Sequence, residues 1–420
     1  MTQHATLSAS GAHGWMRCYG KLALEKGYGE KSSTFADEGT AAHELASWCL
    51  ESGQDASAYA GRIITVEKTG REFEVDEDMV ENVQRYVDIV RGLGGDLMVE
   101  QRVDFSNWIG VPDSFGTSDA IVVLDRELVV CDLKYGRGVQ VDAEENEQLQ
   151  LYALGSYSLA SLAYDIDTVR MMIVQPRLNH VSEWAVSVDH LKDFAARAAI
   201  AARHAIHQYD GKAEPKLSPG EKQCRFCKAK ATCPALAAEV RETVSFGVAT
   251  ADDFSDLNVD PNDISGAIDA AVVQAGADGQ QEDVLAAAMS KVDLVEQWCK
   301  AVRAEVESRL VEGKPVEGYK LVQGRRGARA WVSKDEAEVV LSSLRLKKEQ
   351  MYDMTVISPT TAEKLFKAGD IGPRQWPKVQ ALITQAEGKP SVAPADDKRP
   401  AISVAVSSED FSVVGAEDLT

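Results

Sequence analysis

A chain of 420 residues with a quarter of its side chains charged has the composition of a soluble globular protein of two or three domains. A formal net charge of -21 excludes a broadly basic nucleic-acid coat, and no apolar run approaches membrane-spanning length. Seven cysteines are too few for a disulfide scaffold at this size, and the residues after Met1 carry no secretory pattern, so a cytoplasmic location is expected.

Residues 8–26 begin with Ser8 and Ser10, either of which can cap a short helix, and continue through Cys18 into a helical run. Taken alone, Cys18 reads as a small buried hydrophobe. The stretch from Gly27 to Lys31 is not a phosphate loop, because the lysine lacks the glycine directly before it. Nothing else in the chain matches that loop, so an ATP-driven motor is excluded. Residues 38–51 predict a helix ended by Gly53, carrying His43 and, about 100° round, a solvent-facing Glu44. Residues 76–93 predict an amphipathic helix with Met79, Val83, Tyr86, Val87 and Val90 on one stripe. Residues 96–104 alternate as a strand, on which Glu100 is either an extra metal ligand or a polar residue on the outer face.

Residues 116–152 organise the rest. Two apolar strands carry Asp119 and, beyond a polar turn, Asp132 and Lys134. If the strands pair symmetrically about Asp125 and Arg126, Asp119 falls opposite Asp132, roughly 5 Å away on the same face. Lys134 shares that face, two residues on. Two carboxylates at that spacing repel by ~3 kcal/mol at an effective dielectric of about 20, and a hard divalent cation between them removes the penalty. The literal Pro112-Asp113 pair is set aside, since Asp113 would need a partner near Gly138, past the strand end. Gly136, Arg137 and Gly138 form a loop able to approach a phosphate backbone. Gln148 and Tyr152 follow, four apart on one helix face. A strand over 164–174 and a helix over 191–209 complete this part.

Cys224, Cys227 and Cys233 have the spacing Cys-x2-Cys-x5-Cys, which points to zinc or an iron–sulfur cluster, each needing a fourth ligand. Zinc usually brings a second paired half nearby, and none is present, so Cys18 is the best fourth thiolate. Cys49, Cys131 and Cys299 read as buried core thiols. Residues 251–290 hold nine acids and no Lys or Arg, whereas 212–230 hold six bases against two acids, so a local basic groove is compatible with the acidic total. That total predicts weak non-specific binding to nucleic acid and strong salt sensitivity. A helix over 282–312, a hairpin with Arg325, Arg326 and Arg329 near its tip, and helices at 334–345, 360–368 and 375–386 follow. A polar tail from 388 carries Phe411 as a short recognition segment.

These motifs resemble the PD-(D/E)XK nuclease superfamily, in its RecB-like branch. Gly116 to Asp119 matches that family's second motif, Asp132-Leu-Lys134 its third, Gln148 to Tyr152 its Gln-x-x-x-Tyr, and Gly39 to His43 its helical Gly-x-x-x-His. One N-terminal cysteine with three after the core is similar to the [4Fe-4S] staple of AddB-type and CRISPR-associated members. The resemblance covers roughly residues 8–236, and the layout looks like a phage and prophage family of such nucleases. It implies an α/β restriction-endonuclease-like core, a central mixed sheet flanked by helices, with a cysteine-bound cluster and an α+β C-terminal region. The expected organisation is a nuclease domain at 1–240, an acidic linker at 241–281, a C-terminal domain at 282–387 and a disordered tail at 388–420. It implies Mg²⁺ or Mn²⁺ held by His43, Asp119, Asp132 and the Leu133 carbonyl, with Lys134 on the attacking water and Gln148 and Tyr152 on the substrate. It implies a [4Fe-4S] cluster on Cys18, Cys224, Cys227 and Cys233, with zinc the lesser alternative. The implied activity is DNA exonucleolysis at double-strand ends, handing single strands to an annealing protein. An endonuclease or nickase, or a non-catalytic DNA-binding module on the same fold, remains open.

Overall fold

The computed structural model describes residues 5–29, 32–245, 285–320, 322, 338–341, 352 and 357–383. Two compact units divide at Val322 and Gln323. Among the described residues no helix is long and apolar enough to cross a membrane.

The first unit is built on a five-stranded mixed sheet in the order β3-β4-β5-β6-β7. Its strands are β3 (Asp96–Asp104), β4 (Phe115–Val123), β5 (Glu127–Leu133), β6 (Thr168–Gln175) and β7 (His180–Ser187). Only β5 and β6 are parallel; the other neighbours are antiparallel. A parallel pair requires a long crossover, and α6 (Glu147–Ala160) supplies it. A separate hairpin joins β1 (Ile63–Val66) and β2 (Arg71–Glu74).

Each sheet face has its own core. On one face Ile121, Val123, Leu128 and Val130 pack with Leu149 and Leu151 of α6 and with α7 (Val188–Tyr209). On the other, Ala120, Val122, Val129 and Cys131 pack with α3 (Thr34–Ser52) and α4 (Glu77–Leu93). The unbroken apolar runs Ala120–Val123 and Leu128–Cys131, all buried, are what strands covered on both faces require.

Local signals fix the helices that carry the site. Ser33 caps α3 by accepting the Ala36 N–H, and Gly53 ends it in the left-handed region at φ 74°. Asp76 caps α4 through the Met79 N–H, and Asn146 caps α6 through the Leu149 N–H. Nine of the fourteen residues of α6 are buried, and Gly155 is there because a Cβ would lie 2.8 Å from Val103 Cβ.

Further α-helices among the described residues of this unit include α1 (Ala12–Arg17), α2 (Lys21–Leu24), α5 (Ser106–Ile109), α8 (Glu221–Arg225), α9 (Pro234–Ser245) and α10 (Val292–Val311). Leu294 of α10 is buried with Cys224, Cys233, Leu236 and Val240. Helix α10 therefore lies in the first unit, where the sequence reading set a boundary at 281/282. In the second unit α11 (Pro359–Ala368) and α12 (Trp376–Gln380) meet through Phe366 and Trp376, stacked 4.7 Å apart. Of the linker expected at 241–281, residues 241–245 continue α9, while 246–281, the arginines 325, 326 and 329, and Phe411 lie outside the described residues.

Candidate active site

The β4–β5 hairpin fixes the centre. Its turn bonds the Leu124 N–H to the Glu127 carbonyl, and its pairs run from Val123↔Leu128 to Ala120↔Cys131. One step further, the same register sets Asp119 opposite Asp132, as the symmetric turn predicts. There the strands part, and the Leu133 N–H donates to Asp119 Oδ2 at 2.7 Å instead of continuing the ladder. On the far side the Lys134 N–H donates to the Val174 carbonyl of β6, so the backbone bearing Asp132 and Lys134 is held from both flanks.

Side chains close the cluster. His43, from α3, places Nδ1 3.1 Å from Asp119 Oδ1. Lys134 Nζ is 2.8 Å from Asp132 Oδ2 and donates to Gln148 Oε1 at 3.2 Å. The Gln148 amide donates to Asp132 Oδ1 at 3.2 Å and to the Tyr152 hydroxyl at 3.1 Å. Gln148 is thus a fork, its carbonyl on the ammonium and its NH₂ on the carboxylate, which fixes its orientation. Gly116 makes room for Tyr152: a Cβ there would sit 2.5 Å from Tyr152 Cε1.

The charges are mutually dependent. Burial pulls the His43 pKa down, but Asp119, and then Asp132, outweigh it and lift it to about 9. Burial raises the Asp119 carboxyl, yet the His43 imidazolium, the Leu133 N–H and Lys134 hold it below its ordinary value. Asp132, buried beside Asp119, is pushed up despite Lys134. Burial lowers Lys134, and Asp132 and Asp119 more than compensate. The two adjacent carboxylates thus favour positive charge on both His43 and Lys134.

Glu100 joins this group. The pairs Val99↔Ala120 and Gln101↔Ser118 flank it, so it faces Asp119 from β3. Ligand atoms of His43, Glu100 and Asp119 all lie within 4.8 Å of one another. Burial, and then Asp119, raise the Glu100 carboxyl to about 7. An imidazole and two carboxylates are a donor set for Mn²⁺ or Mg²⁺. Asp132 stands outside this tight trio, its two oxygens turned to Lys134 and Gln148. The Leu133 group recorded at the centre is its N–H.

Other candidates fall elsewhere. Asp113 is exposed in the loop before β4, at φ 55°. Glu44 is exposed. Arg137 is held on Asp78 at 3.0 Å. The sequence offered no signal for Arg177, which bonds Glu38 and Asp78 and lies over the Tyr135 ring at 3.8 Å, anchoring the segment after Lys134. Glu147, also passed over, binds His13 at 2.9 Å and Arg17 at 2.8 Å at the start of α6. An acid in the first helical turn is the signal that was available.

Some distance along the chain, Cys18, Cys224, Cys227 and Cys233 line one small cavity with Leu24 and Leu217. The Ser218 N–H donates to Cys18 Sγ and the Gly220 N–H to Cys224 Sγ, both at 3.4 Å. Burial raises the Cys18, Cys224 and Cys227 thiols, Cys227 to about 12. Cys49 and Cys131 are buried core thiols, while Cys299 is half-buried.

Fold and site together define an α/β protein whose mixed sheet carries a histidine–carboxylate–lysine centre where a hairpin splays. The chain belongs to the family described as "Protein of unknown function (DUF2800)", whose profile matches residues 4–400. Among solved structures it is similar to SSO0001, at 15% identity over 56% of this chain and 89% of that one, with a TM-score of 0.27. It is also similar to a "Putative exonuclease" from Eubacterium rectale, at 10% identity over 53% of this chain and 85% of that one, with a TM-score of 0.31.

Proposed function

We propose that this protein is a divalent-metal-dependent deoxyribonuclease of the PD-(D/E)XK type, acting as an exonuclease on DNA ends. The observation that supports it most is the pairing of Asp119 with His43 and of Asp132 with Lys134 at the same splayed end of β4 and β5. In this reading His43, Asp119, Asp132 and the Leu133 carbonyl hold Mg²⁺ or Mn²⁺. The donor chemistry fits, since the adjacent carboxylates Asp119 and Asp132, with the His43 imidazole beside them, form a set that a hard divalent cation would satisfy. When bound, the ion would supply charge neutralisation at the scissile phosphate and acidify a water.

The chain's own groups do the rest. Lys134 holds the attacking water by hydrogen bond and offsets charge at the crowded phosphorus. Gln148 keeps Lys134 and Asp132 in a fixed relation, its carbonyl on the ammonium and its amide on the carboxylate. Tyr152 accepts from Gln148 and keeps its own O–H to donate to a phosphate oxygen. The four cysteines hold a [4Fe-4S] cluster with a structural role. Four thiols around one cavity, two of them accepting backbone N–H bonds, fit that group. A setting in phage-type recombination, with an annealing protein as partner, follows from an end-resecting activity.

End-labelled duplex DNA with Mg²⁺ or Mn²⁺ tests the activity, and circular DNA tests the exonuclease reading, since an endonuclease or nickase would cut it. Lys134→Ala and Asp119→Asn should each lower degradation by at least 10²-fold, in the range of removing a positioned charge from a reacting site. Melting curves should show both variants folded. Undiminished cutting by Lys134→Ala would remove the lysine from the mechanism, and no cutting by the wild type on any DNA would sink the proposal.

A further inference from the structure

We infer that the open end of α3, where Phe35 and Gly39 adjoin His43, receives the DNA strand that the centre acts on, with the sugar–phosphate backbone against Gly39 and a base stacked on Phe35. This deepens the nuclease reading and rests on it.

The first observation is a stripe that runs out of core. Residues seven apart on a helix share a face. Phe35, Ala42 and Cys49 are spaced in this way on α3. Ala42 and Cys49 are 0% exposed within the core that α3 shares with α4 and the sheet, whereas Phe35 is 82% exposed. The face that α3 turns to the core thus continues past the described residues that cover it. A phenyl ring left in water there forgoes the burial that the same face gains two turns on.

The second is a glycine that the fold does not call for. Gly39 is the sixth of the 19 residues of α3, in a helix interior where glycine is less favourable than alanine. Other helical glycines have a local reason. A Cβ on Gly155 would meet Val103 and one on Gly14 would meet Lys21, and Gly92 lies in the last turn of α4. At Gly39 a Cβ would meet nothing within 4 Å among the described residues. Neither a turn nor a neighbour there requires bare backbone. What remains is close approach by a ligand, which glycine permits and a side chain would hinder.

The third is position and charge. Gly39 lies one turn, roughly 6 Å, before His43, and Phe35 one turn before that. His43 Nδ1 is 3.1 Å from Asp119 Oδ1, so the track ends in the centre. The acids beside the track are paired: Arg71 binds Asp37, and Arg177 binds Glu38 at 2.6 Å. An aromatic face is a platform for any base. The roughly 12 Å from His43 to Phe35 spans three to four nucleotides at ~3.4 Å each. An occupant that offers flat apolar rings, lies against a helix backbone and reaches the centre is the substrate strand.

Variants of the full chain test this with a labelled single-stranded oligonucleotide, by fluorescence anisotropy in EDTA and by degradation with Mn²⁺. Gly39→Ala should melt about 2 °C higher than wild type, because alanine suits a helix better, yet bind the oligonucleotide about tenfold more weakly. Phe35→Ala should lose about tenfold, the size of one base stack, and Phe35→Trp should restore it. Both weakened variants should raise KM more than they lower kcat. A lower melting temperature in Gly39→Ala would mean that the glycine serves packing, and the inference would fall. Wild-type DNA affinity in either variant, in a chain that degrades DNA, would place the strand elsewhere and leave the nuclease reading standing. A wild-type chain that neither binds nor degrades DNA would overturn that reading and this inference together.

Discussion

The side chains at the centre are set by contacts that tolerate little change, and Gly116 shows how little. A methyl group there would meet Tyr152 Cε1 at 2.5 Å, with Cδ1 and Cζ at 3.4 Å. The aromatic ring cannot retreat easily, since Tyr152 is buried on α6 within the core of that sheet face. Gly116→Ala should therefore cost about 1–3 kcal/mol, the usual range for overpacking, and lower the melting temperature by several degrees. Shifting the ring also lengthens the 3.1 Å bond from Gln148. Activity should fall further than stability, and a variant that melts and cuts like wild type would show that the ring moves without consequence. The glycine was legible as part of a motif, but its reason, an aromatic ring from a helix more than thirty residues on, was not.

Among the elements, α6 links the sheet to the N-terminal helix. Glu147 at its first turn accepts from Arg17 at 2.8 and 3.1 Å and meets His13 at 2.9 Å. Burial raises its carboxyl, and His13 and Arg17 together hold it below the ordinary value. A carboxyl depressed on folding contributes stability above its unfolded pKa and loses it as pH falls through the folded one. Glu147→Gln should thus be less stable than wild type at neutral pH by about 1–2 kcal/mol, discounted for the exposed Arg17. The difference should close in melts below the ordinary carboxylate range, where the wild-type group is protonated too. A gap that stayed constant with pH would mean that shape, not charge, is at stake. Legibility follows contact range at this scale. The β4–β5 register was readable because a short turn at Asp125 and Arg126 dictates it. The β3–β4 register was not, because α5 intervenes and no turn sets the pairing, so Glu100 was left undecided beside the residue it faces. Strand β7 alternates half-buried and exposed residues from His180 to Ser187, but exposed Val181 beside half-buried His180 and Ser182 kept that alternation out of the sequence pattern. The β1–β2 hairpin was also missed, its short strands giving too few alternations to register.

At the level of the whole molecule, the cysteine segment is a junction. Residues far apart in sequence meet there: the Gly20 N–H donates to the Lys216 carbonyl, the Lys228 N–H to Glu25 Oε1, and Tyr28 bonds Thr232. The same region buries Leu294, so helix α10 docks on it with Leu236 and Val240. Sequence spacing revealed the three clustered thiols and, by elimination, Cys18; it did not reveal that a helix some sixty residues further on shares their core, because that contact depends on packing across intervening chain. A cluster bound by Cys18 and Cys233 would close a loop of more than a hundred residues. By the chain-entropy argument used for disulfides, that restricts the unfolded state by on the order of 5 kcal/mol. Whole-domain stabilities are only about 5–15 kcal/mol, so the cluster would decide whether this unit stays folded at elevated temperature. The protein as purified should be brown, with stoichiometric iron and sulfide, and Cys18→Ser should lose the iron. Its melting temperature should fall by ten degrees or more, and proteolysis within residues 285–311 should accelerate as α10 loses its seat. A colourless chain with one zinc per molecule would reassign the metal and keep the junction. A metal-free wild type as stable as the loaded protein would show that these hydrogen bonds and apolar contacts hold the junction unaided, and the structural role of the cluster would fall.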